Sequence, residues 1–243
     1  LYLLPVVALP ILWRIAIHLT ETRRFAAHHA EARFAGHTGR FWLLAVSGLL
    51  AALFVSPATF FLNEFLINER GFTAGGVAVF TIVTATPGAI GVIVGGRLAD
   101  TRGRRPVGAV ALVVATVGTA IAFNSAGLEL WLWTLLAAVI GSASVPALGV
   151  YGPELFPTSL RGRVGGLLSL VGLAGSAVGL VLGGIAADSP GGLSQALIPL
   201  AAGPVVVAVL VLLLYPETAG RELEELNPED RPPPQRDASS SRP

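Results

Sequence analysis

Six intervals of this chain, 41–63, 71–96, 106–128, 130–153, 164–187 and 189–216, contain no charged side chain. Each is as long as the roughly 20 helical residues that cross a hydrocarbon core, allowing for tilt. In lipid a spanning segment must satisfy its own backbone polar groups, so runs of this kind become helices. The connections at 64–70, around Glu129 and around Asp188 are short, which makes consecutive helices antiparallel neighbours. Composition agrees: 13% of the residues are charged, where soluble domains carry about 25%. The expected fold class is an all-α membrane protein, a six-helix transmembrane bundle over 41–216.

Arginine then fixes a direction. Every one of the 16 basic residues is Arg, and all but Arg70 fall at Arg14 or in the segments 19–40, 97–105, 154–163 and 217–243. Cytoplasmic loops carry the excess of basic residues in multi-pass proteins. The expectation is a multi-pass cell membrane protein (plasma or inner membrane) with the loops 97–105 and 154–163 and the C-terminus in the cytoplasm. Residues 1–18 read as the remnant of a preceding helix, with Arg14 reaching the headgroups. Residues 19–40 form a polar central loop, and 217–243 a cytoplasmic tail that is largely disordered from Asn227 onward. The chain starts at Leu1 and holds no Met, so it reads as an internal or 5′-truncated fragment.

Several chemistries drop out. There is no Cys, which removes disulfides, thiol catalysis and Cys-ligated metals. A net charge of +1 argues against a nucleic-acid partner. His28 and His29 diverge by about 100° on a helix and have no third ligand at suitable spacing, so no metal and no cofactor is expected. The spans carry no nucleophile or acid pair at depth, so the chain is not read as an enzyme. A channel would need a ring of charged or carbonyl groups, and no segment offers one.

Inside the spans, Gly175, Gly179 and Gly183 recur every four residues, as do Gly91 and Gly95; such faces let helix backbones approach closely. Pro57, Pro87, Pro146 and Pro204 kink or locally open their helices. Whether Pro87 and Pro146 are flexing points or simply permit bent packing stays open.

Four segments together resemble the C-terminal half of a major facilitator superfamily transporter, nearest its sugar-porter or metabolite:proton symporter branches. Gly96-Arg97-Leu98-Ala99-Asp100, then Gly103-Arg104-Arg105, is similar to the superfamily's signature loop between the second and third helices of a half. Tyr151 to Thr158, followed by Arg161 and Gly165, resembles the sugar-porter loop after the tenth helix. Pro216 to Gly220, then Leu223-Glu224-Glu225, resembles the motif closing the twelfth. Leu19 to Phe25, including Glu21 and Arg24, resembles the segment after the sixth, with Thr20 where Pro is usual. Departures are specific: Thr101 stands where the signature loop has Arg, 41–63 lacks the paired glutamines of sugar porters, and Ala147 follows Pro146 where those porters carry Trp.

The resemblance implies a secondary active transporter moving a small sugar-like or metabolite-like solute by alternating access, coupled to protons. The alternatives are a drug or metabolite efflux antiporter and a non-transporting scaffold or sensor. Gate residues follow from the motifs: Gly96, Asp100, Gly103, Arg104, Arg105, Glu154, Arg161 and Glu217, with Glu21 and Arg24. Of these, Asp100, Arg104, Glu154, Arg161 and Glu217 are expected to form one network, with Asp100 facing the start of the helix at 164; the bland reading is a topogenic basic loop with scattered counter-ions. Solute contacts are expected from Ser56, Thr59, Asn63, Thr84, Trp133, Thr134 and Ser142, against the alternative that these hydroxyls bond their own helices. Glu64 is the candidate proton-linked acid. Partners are the solute, the lipid bilayer and, as the resemblance implies, a missing N-terminal six-helix half.

Overall fold

A computed structural model describes residues 34–230, apart from the side chains of Leu223 and Glu224, together with Pro10, Trp13, Arg14 and Ile17. Glu21, Arg24, His28, His29 and the tail beyond Asp230 lie outside the described residues.

Each uncharged interval becomes a helix, and all but the last overrun their interval at one end or both. We label them α1 (Phe34–Glu69), α2 (Ala74–Arg102), α3 (Arg104–Asn124), α4 (Gly127–Glu154), α5 (Thr158–Ala187) and α6 (Gly192–Leu214). No strand occurs among the described residues. Parts of three expected loops are helical. The polar segment before 41 enters α1 at Phe34, the connection at 64–70 is a π-helical turn over Phe65–Glu69, and Arg161 and Arg163 lie in the first turns of α5. What remains between α2 and α3 is Gly103 alone.

Glycine determines how the helices meet. Gly175 and Gly179 on α5 lie against the α1 backbone: a Cβ would fall 2.7 Å from Leu49 O at the first and 2.5 Å from Leu53 O at the second. Gly91 and Gly95 put α2 equally close to Val139 and Ala143 of α4, and Gly203 of α6 lies on Leu50 of α1. Association in lipid depends on such close packing. The α1–α5 and α3–α4 pairs are the most extensive contacts, with α6 spanning α1 and α3.

Two buried clusters cap the bundle. One, near the Gly103 turn, gathers Phe41, Tyr151, Phe156 and Tyr215; the other, at the opposite end, gathers Phe54, Phe65, Phe80 and Phe123. Trp131 joins the second, 4.7 Å from Phe80 centre to centre. Large apolar side chains such as Ile93, Ile185 and Leu213 face outward, as expected of surfaces exposed to lipid.

Helices α2, α4 and α6 are interrupted, and α1 carries a further break at Phe61. α2 breaks at Thr86–Pro87 between Ala74–Ala85 and Gly88–Arg102. α4 breaks at Ser142–Ala143, after Gly127–Gly141, where Ala143 N donates to Ile140 O instead of Val139 O. α6 is interrupted at Ala201. Proline explains the α2 break, since it has no N–H to continue the ladder.

Candidate functional site

The first four N–H groups of a helix have no intrahelical partner, and three of these helices cannot supply one locally. Gly103, Pro157 and Gly191 precede α3, α5 and α6, and none has a side-chain acceptor. In each case a distant carboxylate fills the gap. Glu217 Oε1 accepts from Arg104 N at 2.9 Å and Oε2 from Arg105 N at 3.2 Å. Asp230 accepts from Thr158 N at 3.0 Å and from the Thr158 hydroxyl at 3.0 Å. Glu69, at the opposite end, accepts from Leu193 N and the Ser194 hydroxyl, both at 3.0 Å. Acids placed here also meet the positive end of the helix dipole.

Arginines serve the complementary ends. Arg105 reaches the last carbonyls of α6, at Val211 and Leu212. Arg70 donates to Ser125 O and Phe123 O at the end of α3, at 2.9 and 3.0 Å, and lies over the Phe65 ring. The one basic residue that departs from the charge asymmetry thus has a structural role.

Around Gly103 these contacts form a network. Arg104 pairs with Glu154 through Nη1, which also donates to the Thr218 hydroxyl at 2.9 Å. The two charged side chains are only 14% and 18% exposed. Gly103 makes the arrangement possible: its φ is +100°, and a Cβ would stand 2.8 Å from Glu217 Oε2. Arg104, Arg105, Glu154 and Glu217 are brought together as the motifs suggested, joined by Thr218, which sequence reasoning did not nominate.

Two expected members sit elsewhere. Asp100 is 70% exposed, and its ion pair is with Arg104 one helical turn away at 3.7 Å. The acid at the start of α5 is Asp230, not Asp100. Arg161 pairs with Asp230 at 3.4 Å and donates from Nε to Phe156 O, because α5 starts at Thr158 and carries Arg161 away from Arg104. Gly96 has room beside it, with a built Cβ 3.6 Å from Pro146 Cβ.

Asn227 is fully buried and donates to Glu154 O at 2.7 Å, while Glu229 pairs with His37 at 3.4 Å. Residues 217–230 therefore lie on the bundle, tied to α1, α3, α4 and α5.

Between the two aromatic clusters, α1 to α4 line a half-open cavity of about 470 Å³, within the range of small-molecule sites. It lies in the middle of the bundle and toward the end remote from Gly103, and both helix breaks border it, through Ala85 and Ser142. Of the nominated solute residues, Thr59, Thr84, Thr134 and Ser142 line it. Each donates its hydroxyl proton to the carbonyl four residues back, at 2.6–2.8 Å. Thr81, Thr116 and Ser144 line it too and bond back in the same manner. Ser56 instead bonds Ser176 across the α1–α5 contact at 2.7 Å. Asn63 and Glu64 are exposed on α1, outside the cavity wall, and Trp133 lies on the outer side of α4 with Leu132 and Leu136. Among the described residues no ionisable side chain lines the cavity.

The sequence profile of the Major Facilitator Superfamily matches residues 41–241, the whole bundle and the docked tail. The chain belongs to the Major Facilitator Superfamily. It is similar to a protein of Cupriavidus pinatubonensis (strain JMP 134 / LMG 1197) named "Probable 4-methylmuconolactone transporter", 30% identical over 171 residues. That match takes in 68% of this chain and 39% of the relative, so the chain spans about two fifths of the relative's length. Membership in the superfamily accounts for the coincidence of basic turn, glycine faces and interrupted helices in one bundle.

The Glu217 cap has a pH signature. Burial pushes its carboxyl pKa up, but hydrogen bonds from the backbone of Arg104, Ala219, Arg105 and Thr218 outweigh this and hold it below the ordinary glutamate value. A lowered folded-state pKa gives stability that is present above the unfolded carboxyl value and lost as pH falls through the folded one. The melting temperature of the wild type is therefore expected to fall on acidification below the ordinary glutamate range. Glu217→Gln, already lower at neutral pH, should flatten that decline. Parallel melting curves for the two proteins across pH 3–7 would refute the assignment.

Proposed function

We propose that this bundle is one half of a secondary transporter that moves a small organic solute across a cell membrane by alternating access, with the Gly103 end in the cytoplasm. The observation that carries the reading is polarity along the bundle axis. One end is tied shut by Arg104, Glu154, Glu217 and the docked tail, while the cavity lies at mid-depth and toward the other end. Two such halves rocking about a central site alternate its exposure; breaking and remaking the Arg104–Glu154–Glu217 network would accompany each cycle, with Asp100 at its rim.

The relative's name supports a small oxygenated metabolite as solute. Proton coupling is the favoured driving force by superfamily membership; an ionisable group inside a membrane site is the usual mark of a proton path, and since none of the described residues of this wall is ionisable, its carboxylate would lie outside the cavity. Efflux is the second reading, favoured by the aromatic part of the wall, Phe54, Phe65 and Phe123.

The test is flux in proteoliposomes of the full-length transporter, with and without a pH gradient. Uptake that rises when the external side is acidified supports symport. Export against the same gradient supports efflux, and no flux by folded protein leaves a scaffold. Orientation has its own check by single-cysteine labelling, since this chain brings no Cys of its own and any elsewhere in the full-length transporter can be replaced by Ser. Cysteine at Arg102 should react with an impermeant maleimide only from the cytoplasmic side.

A further inference from the structure

Eight hydroxyl groups line the cavity, and seven of them are donors already committed to their own helices. Thr119 of α3 is the exception. It is half-buried in the wall, and among the described residues its hydroxyl makes no hydrogen bond. A helical threonine divides between two rotamers according to whether its Oγ1 turns back to a preceding carbonyl, and Thr119 does not turn back. An unspent donor among spent ones is a directional feature in an otherwise accepting, apolar chamber.

We propose that Thr119 is the specificity-determining donor of a solute site inside this bundle, and that the site seats an uncharged, oxygen-bearing part of the solute. The assignment rests on the transport reading and deepens it. A carboxylate offers about four lone-pair positions. Among the described residues of this wall it would meet one donor, no cation, and hydroxyl oxygens that present only lone pairs. Desolvating a charge without a partner is strongly unfavourable, so these four helices by themselves offer an anionic group no seat. A carbonyl of an ester, lactone or ketone asks for a single donor and is satisfied by Thr119 Oγ1. Any O–H of the solute can donate to the hydroxyl oxygens on the opposite wall, such as Thr84 or Thr134, which keep a free lone pair after bonding back. The carbon skeleton lies against Phe54 and Phe123. Placing this donor on α3 gives the third helix of the bundle a part in recognition that hydrophobic spacing does not show.

The experiment uses the full-length transporter in proteoliposomes with three probes: 4-methylmuconolactone, a hexose and propionate. The expected result is transport of the hexose, or of the lactone with its neutral ring on this wall and its own carboxylate outside it. Thr119→Val, which keeps the side-chain shape and removes the donor, should raise KM about tenfold or more with turnover within about threefold, the loss of one buried hydrogen bond. Thr119→Ser should stay within about twofold of wild type. Because the hydroxyl bonds nothing in the fold, the melting temperature of Thr119→Val should not fall, which separates recognition from structural damage. A KM within about twofold of wild type for Thr119→Val on the probe carried overturns the site and leaves transport intact. Propionate as the sole probe carried overturns it as well. No flux of any probe by folded wild type removes both the transport reading and this site.

Discussion

Gly91→Ala is expected to prevent the bundle from assembling. The added methyl group would stand 1.7 Å from Val139 O and 2.8 Å from Val139 C, and a Cβ has no rotamer by which to escape. Overpacking that side chains can absorb costs about 1–3 kcal/mol; here two helix backbones must separate, so the loss exceeds that range. The separation would also open the α2–α4 seam beneath both helix breaks and the cavity floor. Gly96→Ala is the control on the same helix, with a methyl group 3.6 Å from Pro146 Cβ. The expected outcome is a more than tenfold loss of monodisperse protein in mild detergent for Gly91→Ala, with Gly96→Ala close to wild type. Equal yields and melting temperatures for the two variants would show that the α2–α4 contact is not as close as the structure has it.

Removing either partner of the Arg104–Glu154 pair should produce the second large effect. Exposed ion pairs contribute about 0–1 kcal/mol, whereas breaking a buried one costs about 3–5 kcal/mol, because an uncompensated charge remains. At 14% and 18% exposure this pair lies nearer the second case, so Arg104→Gln and Glu154→Gln should each lose roughly 2–4 kcal/mol of stability. Arg104→Gln should be the worse, since it also releases the Thr218 hydroxyl. The double variant should lose much less than the sum, as expected of groups in direct contact. Thermal melts of the four proteins measure this cycle; additive losses would mean that the two side chains act independently.

Much of this was legible without coordinates, because lipid is a strict solvent. Charge-free runs of more than 20 residues have few alternatives to spanning helices, and all six intervals form them. The glycine periods at 175–183 and 91–95 foretold where backbones meet, since a side chain of hydrogen has one dominant use in such a helix. Arg104, Arg105, Glu154 and Glu217 could be grouped because motif spacing carries their juxtaposition with it.

What the sequence could not reveal is which acid serves which helix. Gly103, Pro157 and Gly191 lack capping side chains, and their substitutes come from 113, 72 and 124 residues away. Nothing local distinguishes Asp230 from Asp100 as the partner of α5, and Arg161 follows Asp230 accordingly. Nor could residue type separate Thr119 from the threonines around it, since a rotamer decides whether a hydroxyl bonds its own helix or faces the cavity. The sequence by itself determined that six helices form, which faces approach one another, and where the basic groups gather. Only the tertiary structure decided the partners of the charges and the direction of each donor. Burial patterns are written in one dimension, whereas a hydrogen bond depends on the position and orientation of two groups in space.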